Sequence, residues 1–229
     1  MTIRDGIKML LGRPVCFGPN SQDRQSEWFG SKDNGWPILP ALLAGRAPCV
    51  YSLGIGRDIS FDKEMIQRFG AEVFAFDPTP ASMAWLSKQD VPASFHAHPL
   101  GVAARDGMMP FAPVSEHGVS HTIIERRPEE GGGLQVPVRR LPTILEKLGH
   151  RHLDVLKMDI EGAEYEVLRD MAETNIRPTQ VLVEFHHRFT GIGFRRTLAA
   201  LLRLHRLGYR RFFSRTDQYG FVLEDRSAR

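Results

Sequence analysis

Two short stretches of the chain carry ionisable side chains at spacings that can do chemistry. The first is Lys157-Met158-Asp159-Ile160-Glu161-Gly162-Ala163-Glu164. A lysine inside a Leu/Val-rich run is costly to bury unless an opposite charge meets it, and Asp159 or Glu161 is the expected partner. The outcome is either a buried ion pair that locks a turn or a carboxylate that acts on a substrate. The second stretch is Glu184-Phe185-His186-His187-Arg188. Residues two apart on a strand share a side, so Glu184 and His186 face one spot and His187 turns away. A histidine beside a carboxylate is suited to general-base work on a hydroxyl; a capping or structural role fits Glu184 equally well. Asp159, Glu184 and His186 also make a chemically sensible metal-ligand set. No fixed-spacing metal motif accompanies them, and no metal is expected.

Two further features suit a nucleoside. Gly54-Ile55-Gly56-Arg57-Asp58 is a tight turn where backbone can approach a ligand and a following helix offers free N–H groups. Asp77 lies 23 residues beyond Gly54, where an acid can accept hydrogen bonds from both ribose hydroxyls, and Pro78 after it suits a shaped loop. Together they predict an adenosine site. The plainer readings are a strand-to-helix turn for the glycines and a helix cap for Asp77. A dinucleotide fingerprint would want a third glycine near position 59, which is Ile59.

These groups need a scaffold that brings strand ends together. From residue 48 onward short apolar runs alternate with helical patterns. Strands are predicted at 49–53, 72–76, 94–98, 153–158 and 180–185, and helices at 61–69, 81–88, 142–148, 163–171 and 194–207. A hairpin of 209–213 and 219–223 follows as an antiparallel edge. Residues 106–138 break the alternation with short extra strands at 108–111, 119–124 and 134–138. Such alternation predicts an α/β fold with a doubly wound, mostly parallel sheet, whose ligands lie at the carboxyl ends of the strands. Residues 1–47 read as an N-terminal wrap or lid and 48–229 as the main domain with an insert at about 106–138. His96 and His98 share one side of the third strand, where packing is expected rather than ligation; His121 is placed to line the cleft.

Composition narrows the class. With 42% hydrophobic and 25% charged residues in 229, the chain is neither disordered nor fibrous. Two cysteines, Cys16 and Cys49, exclude a disulfide scaffold and a Cys-rich zinc module and suit a reducing compartment. No apolar run is long enough to span a membrane, and the first residues lack the apolar core of a signal peptide; the expected location is cytoplasmic. Charge is uneven: residues 188–229 hold ten arginines against Asp217, Glu224 and Asp225. The plain reading is a solvated helix face; the sharper one is a basic rim, with Arg195 and Arg196, that recruits an anionic acceptor.

The stretches Val50-Tyr51-Ser52-Leu53-Gly54-Ile55-Gly56, Phe76-Asp77-Pro78-Thr79-Pro80 and Leu156-Lys157-Met158-Asp159-Ile160-Glu161-Gly162-Ala163-Glu164 together resemble the FkbM family of S-adenosylmethionine-dependent methyltransferases. Val183-Glu184-Phe185-His186 is similar to its strand-end acid and histidine, and Phe29-Gly30-Ser31 with Gly35-Trp36 to an N-terminal element of some relatives. The likeness covers about residues 28–225. It implies a Rossmann-like class I methyltransferase fold, with a seven-stranded, mostly parallel sheet whose last strand is antiparallel. It implies S-adenosyl-L-methionine as cofactor and O-methylation of a sugar, polyketide or other secondary metabolite. Carried onto this chain, Gly54 and Gly56 flank the methionine part, Asp77 holds the ribose, and Asp159 sits near the transferring methyl; Pro78 and Gly101 join the cofactor set. Ser52 stands where the family often has an acid, which leaves Lys157, Asp159 and Glu161 as candidates for the cofactor's amino end. The expected catalytic set is Asp159, Glu184, His186 and Lys157: His186, oriented by Glu184, takes the hydroxyl proton while Asp159 positions the oxygen. A small-molecule or glycan acceptor is expected and a nucleic acid is not, since the Asn/Asp-Pro-Pro-aromatic strand end of DNA base methylation and an aromatic-basic stacking surface are both missing. The rival readings are a nicotinamide-dependent oxidoreductase and a catalytically inactive adenosyl-cofactor-binding protein.

Overall fold

The computed structural model of the chain describes residues 25–113, 121–123, 134–189 and 191–224. Thirteen strands and five α-helices follow one another in these residues. A hairpin of β1 (Glu27–Phe29) and β2 (Trp36–Ile38) comes first, then a single 3-10 turn at Pro40–Leu42. The alternating part is β3 (Cys49–Leu53), α1 (Ser60–Phe69), β4 (Glu72–Phe76), α2 (Pro80–Leu86) and β5 (Phe95–His98). The insert holds β6 (Gly101–Val102), β7 (Gly107–Pro113), β8 (His121–Ile123) and β9 (Leu134–Arg139). Alternation resumes with α3 (Leu141–Leu148), β10 (Val155–Met158), α4 (Glu164–Glu173), β11 (Gln180–Glu184) and α5 (Phe194–Arg206), and ends on β12 (Tyr209–Arg215) and β13 (Gln218–Leu223).

The main sheet has seven strands in the order β12-β13-β11-β10-β3-β4-β5. The five strands from β11 to β5 are mutually parallel, and β13 runs antiparallel to both its neighbours. The last strand in sequence is therefore antiparallel, as the alternation and the resemblance both predict. It does not form the edge, however. β13 inserts between β11 and β12, which leaves β12 outermost. The reason is in its side chains: Tyr219, Phe221 and Val222 are all buried, and an edge position would leave part of that surface wet.

Central strands buried on both faces read as unbroken apolar runs, and here each face has its own core. Val50, Val73, Val155 and Leu182 pack under α1 with Phe29, Trp36 and Ile38 of the N-terminal hairpin. Tyr51, Leu53, Leu156, Met158 and Val183 pack on the other side under α3, α4 and α5. Helix ends follow local chemistry. α1 stops at Gly70 and α3 at Gly149, both at positive φ, where glycine adopts the left-handed cap at no steric cost. In α5, Thr197, Ala200, Leu201 and Leu204 make the buried stripe, and Arg203, His205 and Arg206 in its last turn suit the negative end of the helix dipole.

The insert forms a separate four-stranded sheet in the order β6-β9-β7-β8, with a small core of Ala103, Met109, Phe111, Val136 and Val138. The side chain of His121 lies outside those described. His96 and His98 stack on Phe74 and Phe76, His98 with its ring centroid 4.9 Å from Phe76. His98 packs there as expected, whereas His96 is partly exposed and pairs with Glu72 at 2.7 Å.

The N-terminal hairpin is tied to the sheet by Gln180, which is wholly buried. Its Oε1 accepts from the Leu39 N–H at 2.9 Å and its Nε2 donates to the Leu39 carbonyl at 3.2 Å. Replacing it by leucine strands a buried N–H and a buried C=O. Gln180→Leu is expected to lower the unfolding free energy in urea by about 2–4 kcal/mol; a loss below about 0.5 kcal/mol, the range of an ordinary surface change, shows that the clamp carries no weight.

Candidate active site

The carboxyl ends of β3, β4, β10 and β11 open on a cleft of about 570 Å³, closed on one side by the β12–β13 turn and on another by the loop between β1 and β2. Its floor is the Gly54–Asp58 turn. Gly54 has φ +75°, and a Cβ there would lie 1.8 Å from the main-chain oxygen of Asp159. Only glycine lets these two strand ends approach so closely. Gly56 has φ +54° and nothing within 4 Å of where a side chain would begin, so the backbone there faces open space.

Asp77 at the end of β4 is buried and holds the turn in place. Its Oδ2 accepts from the N–H groups of Ile55 at 3.2 Å and Gly56 at 3.0 Å, and its Oδ1 from Thr79 N–H at 2.8 Å. A carboxylate has about four acceptor positions; three are used here, and Asp77 itself lines the cleft. Pro78 and Gly101 line the same space. Asp58 extends the network: it accepts from Ser31 Oγ at 2.7 Å and Asn34 Nδ2 at 3.2 Å, and although burial opposes it, these hydrogen bonds and those from Ser60 hold its carboxyl below the usual range.

Lys157 differs from expectation. Neither Asp159 nor Glu161 pairs with it. Its buried ammonium donates to the Gly54 carbonyl and lies 5.6 Å from the centroid of the Trp36 ring, a geometry in which the ring face attracts a cation. Strand alternation turns its stem toward the α1 face, where Asp62 is fully buried. Burial raises the Asp62 carboxyl and the Lys157 charge opposes the rise. Ser52 is also wholly buried beneath this turn and does not line the cleft, so the position where relatives often carry an acid points into the core.

The third group gathers around His186. Expectation had Glu184 orient it. The structure assigns that contact to Glu164 instead, which lies in the first turn of α4 with no solvent exposure. Glu164 Oε1 is 2.8 Å from His186 Nδ1 and accepts the Ile160 N–H at 3.1 Å, while Oε2 accepts the Gly162 N–H at 3.0 Å. Glu184 misses this position because it sits on the strand itself, whereas His186 has already left it and swings toward the 159–164 turn. The other imidazole nitrogen, Nε2, lies 3.3 Å from Glu161 Oε2 and 3.6 Å from Asp159 Oδ1. Burial disfavours the imidazolium, but the Glu164 hydrogen bond and the charges of Glu164, Asp159 and Glu161 outweigh it and raise His186 to about 9. Burial and the Asp159 charge push Glu184 up to about 7, and burial also raises Asp159.

The structure thus brings Gly54, Gly56, Asp77, Pro78, Gly101, Lys157, Asp159 and Glu184 to one cleft, with His186 reaching its wall through Asp159 and Glu161. Arg195 and Arg196 are exposed on α5 and do not line it; the cations on its rim are Lys32, Arg57 and Arg215. Sequence reasoning missed Asp58, Trp36 and Asp217 as lining residues and gave Glu164 no role. A signal existed for two of them. Asp58 two residues before Ser60 is an Asx-type start to a helix, and Glu164 follows Gly162 at the head of a helix, where a carboxylate collects free N–H groups.

Residues 52–211 match the family model described as the Methyltransferase FkbM domain. The chain is similar to the probable methyltransferase-like protein 24 of Homo sapiens, 30% identical over 144 residues that make up 62% of this chain and 33% of that protein. The Rattus norvegicus protein of the same name is 30% identical over 144 residues, 62% of this chain and 34% of its own. The chain spans about a third of the length of these curated relatives. Among solved structures, the methyltransferase FkbM of Methylobacillus flagellatus KT superposes with a TM-score of 0.47 at 15% identity, over 77% of this chain and 43% of that one. Aeropyrum pernix fibrillarin, solved with natively bound S-adenosyl-L-methionine, does so with a TM-score of 0.44 at 12% identity, over 89% and 84%.

Removing the Glu164 carboxylate leaves two main-chain N–H groups and an imidazolium without their shared acceptor. Glu164→Leu is expected to lower the unfolding free energy by about 3–5 kcal/mol. Glu164→Gln, which keeps one acceptor oxygen, is expected to lose less. Equal stability of wild type and Glu164→Leu in urea unfolding refutes the clamp.

Proposed function

The chain belongs to the FkbM methyltransferase family, and from that premise we propose that it moves the methyl group of S-adenosyl-L-methionine onto a hydroxyl oxygen of a small-molecule or glycan acceptor. When bound, this cofactor supplies a methyl group on a positively charged sulfur, already activated for displacement. The residues present fit it. Gly56 leaves open space where any side chain would intrude, Asp77 keeps an acceptor position for a ribose hydroxyl, and the acids that also line the cleft, Asp159, Glu161 and Glu184, suit a cationic ligand. Ser52 has no part in this reading, because it does not reach the cleft.

For an activated methyl group the protein's main task is alignment. Gly54 and Gly56 let the backbone come close to the cofactor; Lys157 fixes Gly54 by its carbonyl and so fixes the turn against Asp159. A hydroxyl nucleophile gains from losing its proton, and a carboxylate in reach can take it. We assign that to Glu184, with Asp159 orienting the oxygen. His186, whose Nδ1 is committed to Glu164, acts through the two acids beside its Nε2 as a positioning residue. The observation that carries the reading is that Glu184 and Asp159 share one cleft with the glycine turn and Asp77. The cations Lys32, Arg57 and Arg215 at the rim favour an acceptor with an anionic part.

Two measurements test this. In calorimetry the protein is expected to bind S-adenosylhomocysteine and not NAD, and Asp77→Ala to weaken that binding about tenfold or more, the value of one hydrogen bond to a charged group. In a transfer assay with labelled S-adenosyl-L-methionine and cell extract, mass spectrometry is expected to find label on oxygen. Glu184→Gln is expected to lower kcat/KM by about 10²–10⁴ with S-adenosylhomocysteine affinity unchanged. Label on carbon or nitrogen, or full turnover by Glu184→Gln, overturns the assignment.

A further inference from the structure

We propose that Asp159, Glu161 and His186 form a binding site for one divalent transition-metal ion at the acceptor end of the cleft, although the sequence alone predicts none. One ligand atom from each of these residues lies within 4.8 Å of the other two. His186 Nε2 is 3.3 Å from Glu161 Oε2 and 3.6 Å from Asp159 Oδ1. Metal bonds of about 2.0–2.2 Å set neighbouring ligand atoms roughly 3.0–3.4 Å apart, so the pairs stand at or just beyond the spacing of a shared ion. Both separations exceed the ~2.7–3.2 Å of an ordinary N–H···O hydrogen bond.

The surroundings supply a second and independent observation. Metal-bound imidazoles commonly give their other nitrogen to a carboxylate, which fixes the ring and turns the free nitrogen to the ion. His186 has this arrangement: Nδ1 is 2.8 Å from Glu164 Oε1, and Glu164 is entirely out of solvent. The same carboxylate anchors the N–H groups of Ile160 and Gly162 on either side of Glu161, so one buried group orients two of the three ligands.

One imidazole and two carboxylates suit an ion of the manganese or zinc kind better than calcium, which takes shells of six to eight oxygens. Both Asp159 and Glu161 line the cleft. An ion held by them would therefore be reachable from the cleft. Such an ion would make an acceptor hydroxyl more acidic, and Glu184, which lines the same cleft, would be available to take its proton. This role rests on the methyl-transfer reading above; the binding of the ion does not.

The test uses the full chain, treated with chelator and titrated with Mn²⁺ alone while free Mn²⁺ is read by electron paramagnetic resonance. One ion per chain is expected. Asp159→Asn and Glu161→Gln are each expected to weaken binding at least tenfold, and Glu164→Gln by about 10–100-fold, the usual effect of losing a group that orients a ligand. Circular dichroism checks that each variant is folded. If Glu164→Gln unfolds, Glu161→Gln decides, because that side chain sits in a turn at the cleft surface. Wild type that binds Mn²⁺ no better than the double variant Asp159→Asn/Glu161→Gln overturns the site. A parallel titration with S-adenosylhomocysteine separates the two readings: cofactor product bound without a Mn²⁺ site overturns only the metal, and Mn²⁺ bound without cofactor product supports the metal and overturns the cofactor reading.

Discussion

The working end of this molecule depends on one carboxylate kept out of water. Glu164 has no exposed surface, which for an ionised group is costly unless several donors meet it. They do: the Ile160 and Gly162 N–H groups and His186 Nδ1 all converge on it. The consequence is structural before it is chemical. The 159–164 segment has Glu161 at φ +54°, a conformation that a long side chain adopts only when its surroundings hold it. Glu164 holds both flanking peptides, and so determines where Asp159 and Glu161 stand. It also brings the loop after β11 to the loop after β10, two segments that the parallel sheet places side by side but does not by itself join.

The same cleft shows how differently two glycines in one motif are used. A side chain at Gly54 would strike the Asp159 carbonyl, while at Gly56 it would meet nothing. Gly54 is required by the protein's own packing, through the Asp159 backbone and the Lys157 ammonium that holds its carbonyl. Gly56 is required by its left-handed φ of +54° rather than by any neighbouring atom, and the space beside it is open. Asp77 connects the two functions. Three of its hydrogen bonds fix the turn, so a residue that lines the cleft also builds its floor.

Most of the fold was legible because its signals are local. β3 and β4 fall where unbroken apolar runs placed them, and the glycines at 70 and 149 stop their helices. The position of β13 was not, since hairpin pairing is local but insertion of the second arm beside β11 depends on burial of Tyr219 and Phe221 against distant helices. At the site, strand alternation identified the residues but misassigned their partners. It paired Lys157 with a nearby acid, whereas the lysine meets a carbonyl and an indole from segments more than 100 residues away in sequence. It gave His186 to Glu184, two residues off, whereas the ring turns to a helix start 22 residues upstream. Periodicity describes which way a side chain leaves a strand. It says nothing once the chain has left the strand, and Asp159 and His186 sit just past that point.

This gives the N-terminal hairpin a role that its lack of pattern conceals. A buried ammonium needs compensation from every side. Lys157 finds part of it in the ring of Trp36, on β2, and part in the main chain of the glycine turn. Trp36 is in place because β2 runs on into Leu39, whose peptide groups are clamped by Gln180 at the base of β11. The opposite end of that strand carries Glu184. One strand therefore anchors the hairpin at its start and supplies a cleft carboxylate at its finish, and the hairpin in turn helps keep the lysine that fixes the floor. Loosening the hairpin should then be felt at the glycine turn before it is felt in either core, because the cores have many contacts to share the loss and the lysine has few.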